Sequence, residues 1–341
     1  MLTFAIDTRD HCRRLESFLR TLMPGAAAGY ARKQIKSGAV RLNGAKAIPD
    51  NFLAVGDQVT IKESTTTQSL LADQRPPLDI LFENDQIAII NKPPGLAMHR
   101  TAELEENLVD LASEYLRTRL ILAEGAGGKE HTTQSYNNVR RGVGDEANEH
   151  IRLKAASFKL YPVNRLDRGT SGAVILAKSS SAAGMYGRHV KETGLDKLYL
   201  ALVHGTPPAS GTIDLPLDGK ESETRFKILA GGTECSLLAV TPISGRMHQI
   251  RRHLEHIGHP VVGDTRYGGG ISSQDGFALH SFRTALHLPD GSHHTICAPL
   301  PDGLLELCRA GSIPYPQLLE TLTDLCTSST VTPDEHLEVS A

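Results

Sequence analysis

The sequence predicts an α+β protein in which a small basic module precedes a larger body. The body is expected to contain one large mixed, mostly antiparallel sheet flanked by helices and loops. Three observations lead to this fold class. Short runs of β-branched and aliphatic residues recur between turn residues, while few segments have helical periodicity. The length of 341 residues suits more than one domain. Finally, charge is distributed unevenly along the chain.

The formal net charge of −3, from 36 Lys and Arg against 39 Asp and Glu, hides this distribution. Residues 1–62 contain ten Lys or Arg and five Asp or Glu, a net charge of +5, whereas residues 302–341 contain seven acids and one Arg, a net charge of −6. A basic leading segment indicates a polyanionic partner. The near-neutral total therefore does not exclude a nucleic-acid-binding protein.

The basic module shows a clear order of elements. Apolar residues at i, i+3, i+4 and i+7 predict a first helix on Leu15, Phe18, Leu19 and Leu22. A second helix is predicted over about 27–37, with Gly38 at its end. A short alternating strand then leads into Asn43-Gly44, the strongest short-range signal for a β-hairpin.

In the body, apolar runs predict strands at 80–82, 87–90, 173–177, 198–203, 226–229, 235–240 and 296–298. Helical spacing predicts one helix from Leu108 and another over about 250–257. The patterns divide the chain into a basic domain at 1–63, a polar linker at 64–77 and a main domain at 78–310. We expect 123–150 to be a flexible insertion, and 311–341 to be an acidic tail, partly helical and then disordered.

Several classes of protein are excluded by what the sequence lacks. Five cysteines without a C-x-x-C pair argue against a disulfide framework or a zinc ribbon, and they suit a reducing compartment. The start of the chain has no signal-peptide core, and no apolar run is long enough to cross a membrane. We therefore expect a cytoplasmic protein without a membrane partner.

Motifs for cofactors and metals are absent as well. The chain has no phosphate-binding loop of the Walker type and no dinucleotide-binding glycine motif. Four histidines do cluster, but their spacing matches no standard metal site; they are His248, His253, His256 and His259. We expect neither a metal nor a cofactor.

The segment 164–172, NRLDRGTSG, has the composition of a reactive site. Asp167 lies among Arg165 and Arg168, so it is expected to be ionised at neutral pH. Such a carboxylate suits a nucleophile or base that acts on a polyanion, because arginines hold phosphates while the carboxylate faces a sugar. A surface cluster of ion pairs would have the same composition, and the residues alone leave both interpretations open.

Two other segments are candidates for a binding site. The first is 245–254, in which acids are nearly absent. Arg251 projects at the edge of the apolar face of the predicted helix. Arg246 and His248 lie at the start of this helix, where the helix dipole favours anions. A solvated basic helix is the alternative. Tyr199 interrupts an apolar strand, where it either packs in the core or stacks on a base.

Four ordered segments resemble the signature segments of the RluA-type pseudouridine synthases; they read ILFENDQIAIINKPPGLAMH, RLDRGTSG, KLYLALVHG and GRMHQIRRHLEHIGHPVVGDTRYG. The leading module resembles the small αL RNA-binding domain of the ribosomal-protein-S-four type. Together these matches cover roughly residues 12–62 and 78–301. The resemblance implies an αL-type domain followed by a pseudouridine synthase catalytic domain.

The resemblance also implies an isomerase that converts uridine to pseudouridine in structured RNA. Asp167 would be the catalytic carboxylate, acting either by attack at C1′ or by removal of the 2′ proton. Tyr199 would stack on the flipped uracil and assist deprotonation at C5, and Arg251 would pair with Asp167. Large-subunit ribosomal RNA is the expected substrate, with tRNA as the alternative. We expect a monomer that does not act on DNA.

Contacts with RNA are expected from two sets of basic residues. Those around the reactive segment are Arg165, Arg168, Lys197, Arg246 and His248. Those on the leading module are Arg14, Arg32, Lys33, Lys36, Arg41 and Lys46. The second set would supply phosphate affinity that does not depend on sequence.

Two substitutions depart from the family pattern: Asn164 replaces the usual His before RLD, and Ser281 replaces an Ala. We expect the first to shift RNA contacts, and neither removes a catalytic group.

Two other functions remain as alternatives. One is a non-catalytic RNA-binding or ribosome-assembly factor with the same fold. The other is a hydrolase of glycosidic bonds in nucleosides, which would usually need a second acid that no motif here supplies.

Overall fold

The computed structural model describes residues 1–26, 29–72, 78–100, 102, 105–125, 158–193, 196–268, 276–288 and 291–327. The chain divides into two compact units. Unit 1 takes in the described parts of 1–92, 96–166 and 174–194, and unit 2 takes in those of 93–95, 167–173 and 195–341. The catalytic candidates Asp167, Tyr199 and Arg251 all belong to unit 2.

Unit 1 begins with the basic module, whose antiparallel strands are β1 (Leu2–Ala5), β2 (Val40–Leu42), β3 (Ala45–Lys46) and β4 (Gln58–Ile61). They form a sheet in the order β1-β4-β2-β3. Two helices accompany it, α1 (Leu15–Leu22) and α2 (Tyr30–Lys36). The predicted hairpin is confirmed, since Asn43 and Gly44 have φ of +50° and +78° between β2 and β3.

The core of the basic module contains the apolar residues that predicted its helices. Leu15, Phe18 and Leu19 of α1 are buried together with Ile35 of α2. The strands contribute Val40 to the same core. The apolar face that was read from the periodicity of the first helix therefore lies inward, as predicted.

The segment predicted as a polar linker contains a short helix, α3 (Thr65–Leu70). The hydroxyl of Ser64 accepts from the amide of Thr67 at 3.0 Å and caps the helix. Leu70 is buried in the core of the basic module. The composition did not indicate this helix because its apolar contacts with the core, through Leu70 and Leu71, lie at its end. Residues 73–77 lie outside the described residues.

The remainder of unit 1 consists of two hairpin-like strand pairs and two helices. Strand β5 (Ile80–Glu83) pairs with β6 (Ile87–Lys92), and β7 (Tyr161–Pro162) pairs with the end of β8 (Ser171–Ala177). The helices are α4 (Leu108–Gly125) and α5 (Ser180–Thr193). Periodicity did not predict α5, which contains two glycines. Helix α4 extends into the predicted insertion 123–150, and 126–150 lie outside the described residues.

Unit 2 is built on strands β9 (Asp196–His204), β10 (Ser210–Asp214), β11 (Glu223–Gly231), β12 (Cys235–Pro242), β13 (Leu279–His287) and β14 (His293–Cys297). Five follow the antiparallel order β10-β11-β12-β9-β13, and β14 pairs with the other side of β13. The first residues of β8 pair with β13 in parallel, with Ser171 opposite His280. A large mixed, mostly antiparallel sheet with flanking helices is thereby confirmed.

The helices of unit 2 are α6 (Gln249–His256), α7 (Asp302–Ala310) and α8 (Tyr315–Thr327). Helix α8 is the helical first part of the predicted acidic tail, and it buries Leu318 and Leu322. The carbonyl oxygen of Leu325 accepts from Nη1 of buried Arg283 at 3.1 Å. Residues 328–341 lie outside the described residues, and the domain boundaries at 63 and 310 remain predictions.

Among the described residues, no helix is both long and apolar enough to cross a membrane.

Candidate active site

Asp167 lies in the loop that leads into β8. Its side chain is 27% exposed, so a substrate can reach the carboxylate. The loop turns where the amide of Thr170 donates to the carbonyl oxygen of Asp167 at 3.1 Å. Thr170 and Ser171 are buried, which anchors the loop at the start of the strand.

A buried hydrogen-bond chain holds the end of this loop. The hydroxyl of Ser171 lies 2.8 Å from Nδ1 of His280, and Nε2 of His280 lies 3.1 Å from the carbonyl oxygen of Ala298. Because a carbonyl oxygen only accepts, Nε2 donates and Nδ1 accepts from Ser171. Burial lowers the pKa of His280 to about 4, so the ring stays neutral and this arrangement persists at physiological pH.

Arg251, on helix α6, pairs with Asp167. Its Nη1 donates to Oδ2 of Asp167 at 2.8 Å, and its side chain is 7% exposed. The apolar face of α6 buries Ile250 and Leu254, which turns the neighbouring Arg251 toward the loop. The structure therefore brings together the two residues that the resemblance implied would pair.

A second carboxylate, Asp264, also binds Arg251. The Nε and Nη2 atoms of Arg251 donate to Oδ2 and Oδ1 of Asp264 at 2.6 and 2.9 Å. Burial disfavours the charge on Arg251, yet its hydrogen bonds to Asp264 and Asp167 outweigh this effect and raise the pKa of Arg251. Burial also disfavours the charge on Asp264, but its hydrogen bonding with Arg251 outweighs this effect and lowers the pKa of Asp264.

Two aromatic rings pack against the same guanidinium. The Cζ atom of Arg251 lies 4.2 Å from the ring centroid of Phe277 and 4.9 Å from that of Tyr267. Both distances are within the range of cation–π attraction. The charged group is thus held by two carboxylates and two rings.

His248 stands immediately before α6 with a left-handed backbone, at φ of +54°. Its Nε2 lies 3.8 Å from Oδ1 of Asp167, and its Nδ1 and the hydroxyl of Tyr267 are hydrogen-bonded at 2.9 Å. Burial is the main cause that lowers the pKa of His248; Asp167 opposes this effect, and Arg251 adds to it. The ring is consequently neutral at pH 7 and lies opposite the oxygen of Asp167 that Arg251 does not bind.

Tyr199 lies in β9, opposite Ser281 of β13. Its side chain is buried, and burial raises its pKa to about 12. A hydrogen bond with Ser281 works against this shift, and the charge of Asp167 adds to it. The residue is therefore a neutral phenol near the carboxylate. Ser281, which replaces the Ala of the family pattern, donates from its Oγ to the carbonyl oxygen of Ala173 at 3.4 Å.

The predicted RNA-binding residues near the loop differ in exposure. Arg165, Arg168 and Arg246 are exposed, and Nε of Arg246 donates to the carbonyl oxygen of Glu221 at 3.1 Å. Lys197 is half-buried, on the same face of β9 as Tyr199, and burial lowers its pKa to about 8. Lys197 is thus the least hydrated cation of this set.

On the basic module, the predicted RNA-binding residues separate into two groups. Lys33, Lys36, Arg41 and Lys46 are exposed. Arg14, in contrast, is buried against Asp50 at 2.7 Å and Phe52, and Arg32 pairs with Glu16 at 2.7 Å. The structure therefore does not bring Arg14 to an exposed basic face, because Asp50 and Phe52 cover it. The sequence alone could not show these contacts.

Asn164 has a structural contact that the sequence did not indicate. Its Oδ1 accepts from the amide of Ile175 in β8 at 2.7 Å. The substituted residue therefore ties the segment before the loop to the strand after it. The expected shift of RNA contacts at this position remains a prediction.

Within the described residues, no three His, Cys, Asp or Glu side chains come close enough together to hold a metal ion. His253, one of the four clustered histidines, is instead buried in a structural hydrogen-bond network. Its Nδ1 and the hydroxyl of Thr224 lie 2.9 Å apart, and its Nε2 lies 3.0 Å from the carbonyl oxygen of Leu215.

Sequence reasoning did not identify Asp264, Tyr267 and Phe277 as parts of the site. The first two lie in the segment GDTRYG, which ends the fourth signature segment. Asp264 lies two positions after the apolar pair Val261-Val262 and three before Tyr267, and this spacing is the signal that could have identified both residues. Phe277 carries no local signal, since only the fold brings its ring to Arg251.

A family model described as RNA pseudouridylate synthase matches residues 86–256. The chain is 30% identical over 289 residues to "Ribosomal large subunit pseudouridine synthase C" of Salmonella typhimurium, covering 77% of this chain and 79% of that protein. The protein of the same name from Escherichia coli is 29% identical with the same coverage. A solved structure, "Human RNA Pseudouridylate Synthase Domain Containing 4", aligns with a TM-score of 0.49 and 19% identity, covering 69% of this chain and 94% of that chain.

The region matched by the family model contains Asp167, Tyr199 and Arg251, which the fold brings into one unit. The matches extend well beyond these three residues, over most of the chain and of its curated relatives. The chain belongs to the RNA pseudouridylate synthase family, in its RluA-type branch, whose members are isomerases that act on RNA.

Proposed function

We propose that this protein isomerises uridines in structured RNA, with large-subunit ribosomal RNA as substrate and Asp167 as the catalytic carboxylate. The observation that supports the role of Asp167 is its asymmetric environment. Oδ2 is bound by Arg251 at 2.8 Å, while Oδ1 lies beyond hydrogen-bond distance of His248 at 3.8 Å. The carboxylate is thus oriented through one oxygen, and it keeps the other oxygen for the substrate. The names of the curated relatives support ribosomal RNA.

The reaction breaks the N1–C1′ bond of uridine, turns the base and forms a C5–C1′ bond. The proton on C5 leaves and N1 gains one, so that atoms and electrons balance without an oxidant or a reductant. Asp167 acts in one of two ways. In the first, its oxygen attacks C1′ as N1 leaves, and C5 then displaces the carboxylate from C1′. In the second, it removes the proton from C2′ as N1 leaves C1′ and returns that proton when C5 bonds to C1′. Both routes need an ionised carboxylate, which Arg251 stabilises.

Tyr199 acts in this proposal as a stacking surface for the flipped uracil. Its phenol, with a pKa raised to about 12, is protonated at neutral pH. A neutral ring suits stacking on a base. A protonated phenol cannot remove the C5 proton as a phenolate would. Of the two roles that the resemblance implied for Tyr199, we therefore propose stacking and not deprotonation at C5.

RNA binding is assigned to the exposed cations of both units. Lys33, Lys36, Arg41 and Lys46 of the basic module would neutralise phosphates, in keeping with an αL-type RNA-binding domain at 1–63. The target base has to leave its stack to reach Asp167, and exposed Arg165 is the candidate to fill the gap or to hold the phosphate.

The test is to incubate the protein with total RNA from a strain lacking its gene and to map pseudouridines chemically. We expect a new pseudouridine in large-subunit ribosomal RNA, and none with Asp167→Asn at unchanged RNA affinity. Turnover by Asp167→Asn would overturn the assignment of Asp167. A site in tRNA alone would replace the proposed substrate. If no RNA gains a pseudouridine, the non-catalytic alternative is favoured, and release of free uracil would indicate the hydrolase.

A further inference from the structure

Arg251 donates three hydrogen bonds to two carboxylates. Asp264 takes the edge formed by Nε and Nη2 through both of its oxygens, at 2.6 and 2.9 Å. Asp167 receives a single hydrogen bond, from Nη1 to Oδ2, at 2.8 Å. Arg251 therefore binds Asp264 in a bidentate manner, through two hydrogen bonds, and Asp167 in a monodentate manner, through one.

This division matters because a guanidinium and a carboxylate tend to form two parallel hydrogen bonds. If Arg251 were free to turn, it could place two donors on Asp167 and bind both oxygens. Oδ1 of Asp167 would then be engaged by a strong charge-assisted hydrogen bond. In the observed arrangement Oδ1 is spared, with Nε2 of His248 at 3.8 Å as its neighbour.

Asp264 is itself held firmly. Its side chain is 1% exposed, and its Oδ1 accepts from the amides of Arg266 and Tyr267 at 3.1 and 3.2 Å. These amides belong to the turn that directly follows it in sequence. Asp264 is therefore a fixed point against which the guanidinium is aligned, and it is too buried to contact RNA.

The aromatic rings limit the remaining motion of Arg251. Phe277 and Tyr267 lie 4.2 and 4.9 Å from its Cζ. Tyr267 is also hydrogen-bonded to His248, so the ring that packs on the arginine helps to place the histidine. Asp264 and the rings together fix both the position and the rotation of the guanidinium.

We infer that Asp264 is a positioning residue for the isomerisation: by occupying the Nε–Nη2 edge of Arg251, it restricts Asp167 to one hydrogen bond and leaves Oδ1 for the ribose. This inference rests on the proposed function, in which Asp167 is the reacting group. Asp264 acts through Arg251 and does not touch the substrate. Its effect therefore falls on turnover and not on RNA affinity.

The first experiment compares Asp264→Asn with Asp218→Asn. Asp218 is a matched control because it pairs with Arg252, next to Arg251 on the same helix, at 3.0 and 3.2 Å but on the surface with 61% of its side chain exposed. For Asp264→Asn we expect kcat per folded molecule to fall roughly 100-fold, as for a displaced reacting group, while KM for RNA changes less than about threefold. Asp218→Asn should keep the wild-type kcat.

Urea unfolding separates this role from a purely structural one. A structural ion pair would make Asp264→Asn less stable but leave kcat per folded molecule unchanged, and that outcome would overturn the inference. A rise in KM with unchanged kcat would do the same, since it would place Asp264 in RNA binding.

A second measurement is made on the wild-type chain and does not depend on activity. In the wild-type chain labelled with ¹⁵N-arginine, a guanidinium fixed by Asp264 should give separate, slowly exchanging Nη1 and Nη2 signals for Arg251, assigned by their loss in Arg251→Lys. Averaged signals would mean free rotation and would overturn the inference. If the wild type forms no pseudouridine but the signals are separate, the proposed function fails while the geometry of the Asp264 pair stands.

Discussion

A Cβ atom on Gly172 would lie 2.3 Å from the carbonyl oxygen of Ser281. These residues face each other in the parallel pairing of β8 with β13, and Gly172 has φ of +107°. Both the close approach and the positive φ require glycine. The contact joins the loop that carries Asp167 to the strand in which Ser281 pairs with Tyr199 of β9, so a backbone contact sets the spacing of two site residues.

We expect Gly172→Ala to lose stability and most of its isomerase activity, because the added methyl group must push the loop away from β13. Gly258→Ala is the matched control, since Gly258 has φ of +81° but open space around its Cβ. The control should cost about 1–2 kcal/mol in the free energy of unfolding and keep its turnover. Urea unfolding and a single-turnover assay measure both effects. Equal behaviour of the two variants would show that the close approach is unimportant.

Replacement of Tyr199 should distinguish stacking from proton transfer. Since burial raises the pKa of Tyr199 to about 12, the phenol is neutral between pH 6 and 9, whether Tyr199 stacks on the base or transfers a proton. We expect Tyr199→Phe to retain activity within about tenfold and Tyr199→Leu to lose roughly 10- to 100-fold, because base stacking on an aromatic ring contributes about 1–3 kcal/mol. The pH–rate profiles of wild type and Tyr199→Phe should have the same shape. An inactive Phe variant would assign the hydroxyl to the chemistry.

Lys197 should make RNA affinity depend on pH. Burial lowers its pKa to about 8, so the ammonium is present below pH 8 and is lost as the pH rises through that value. If Lys197 binds a phosphate, the Kd for RNA should rise between pH 7 and 9. Filter binding at constant ionic strength measures this change. Lys197→Gln should bind more weakly at pH 7 and lack the change, whereas exposed Lys220→Gln should retain it.

Glu83 is expected to govern the acid stability of unit 1. Its carboxylate, 6% exposed, binds Arg20, Arg119 and Lys178 at 3.2, 2.9 and 2.8 Å. Burial opposes its charge, but the three-cation environment, led by Arg119 and Lys178, lowers the pKa of Glu83 to about 2. Because the folded-state pKa is below the ordinary value of 4.5, the stabilisation is complete above pH 4.5 and is lost as the pH falls toward 2.

Glu83→Gln should therefore destabilise the protein by about 3–5 kcal/mol at pH 7, since it leaves three cations without their buried partner. The loss should shrink as the pH approaches 2. Glu114→Gln removes the partner of Arg117 in an exposed pair and should cost less than about 1 kcal/mol. Urea unfolding between pH 2.5 and 7 compares them, and a pH-independent loss at Glu83 would contradict the assigned cause.

Several elements were predictable because their causes are local. The apolar stripe on Leu15, Phe18 and Leu19 predicted α1, and Asn43-Gly44 predicted the hairpin. In the body, the predicted run 235–240 lies within β12. Strand β13 was not predicted as a strand, although LHSFRTALH occupies the centre of unit 2. Its polar residues Ser281, Arg283 and Thr284 are buried, so hydropathy alone could not mark it as a buried strand.

The sequence by itself determined the family and the residue types of the site, because the order of four short segments is a property of the chain. It determined also that Asp167 is surrounded by arginines. Only the tertiary structure decided how Arg251 is shared, since Asp167 is 84 positions and Asp264 is 13 positions away from it along the chain. Contacts over such separations depend on how β8, α6 and the turn after α6 pack together. In the basic module, contacts with Asp50 and Phe52 likewise bury Arg14, whereas Lys33 is exposed, although both look like equivalent cations in the sequence.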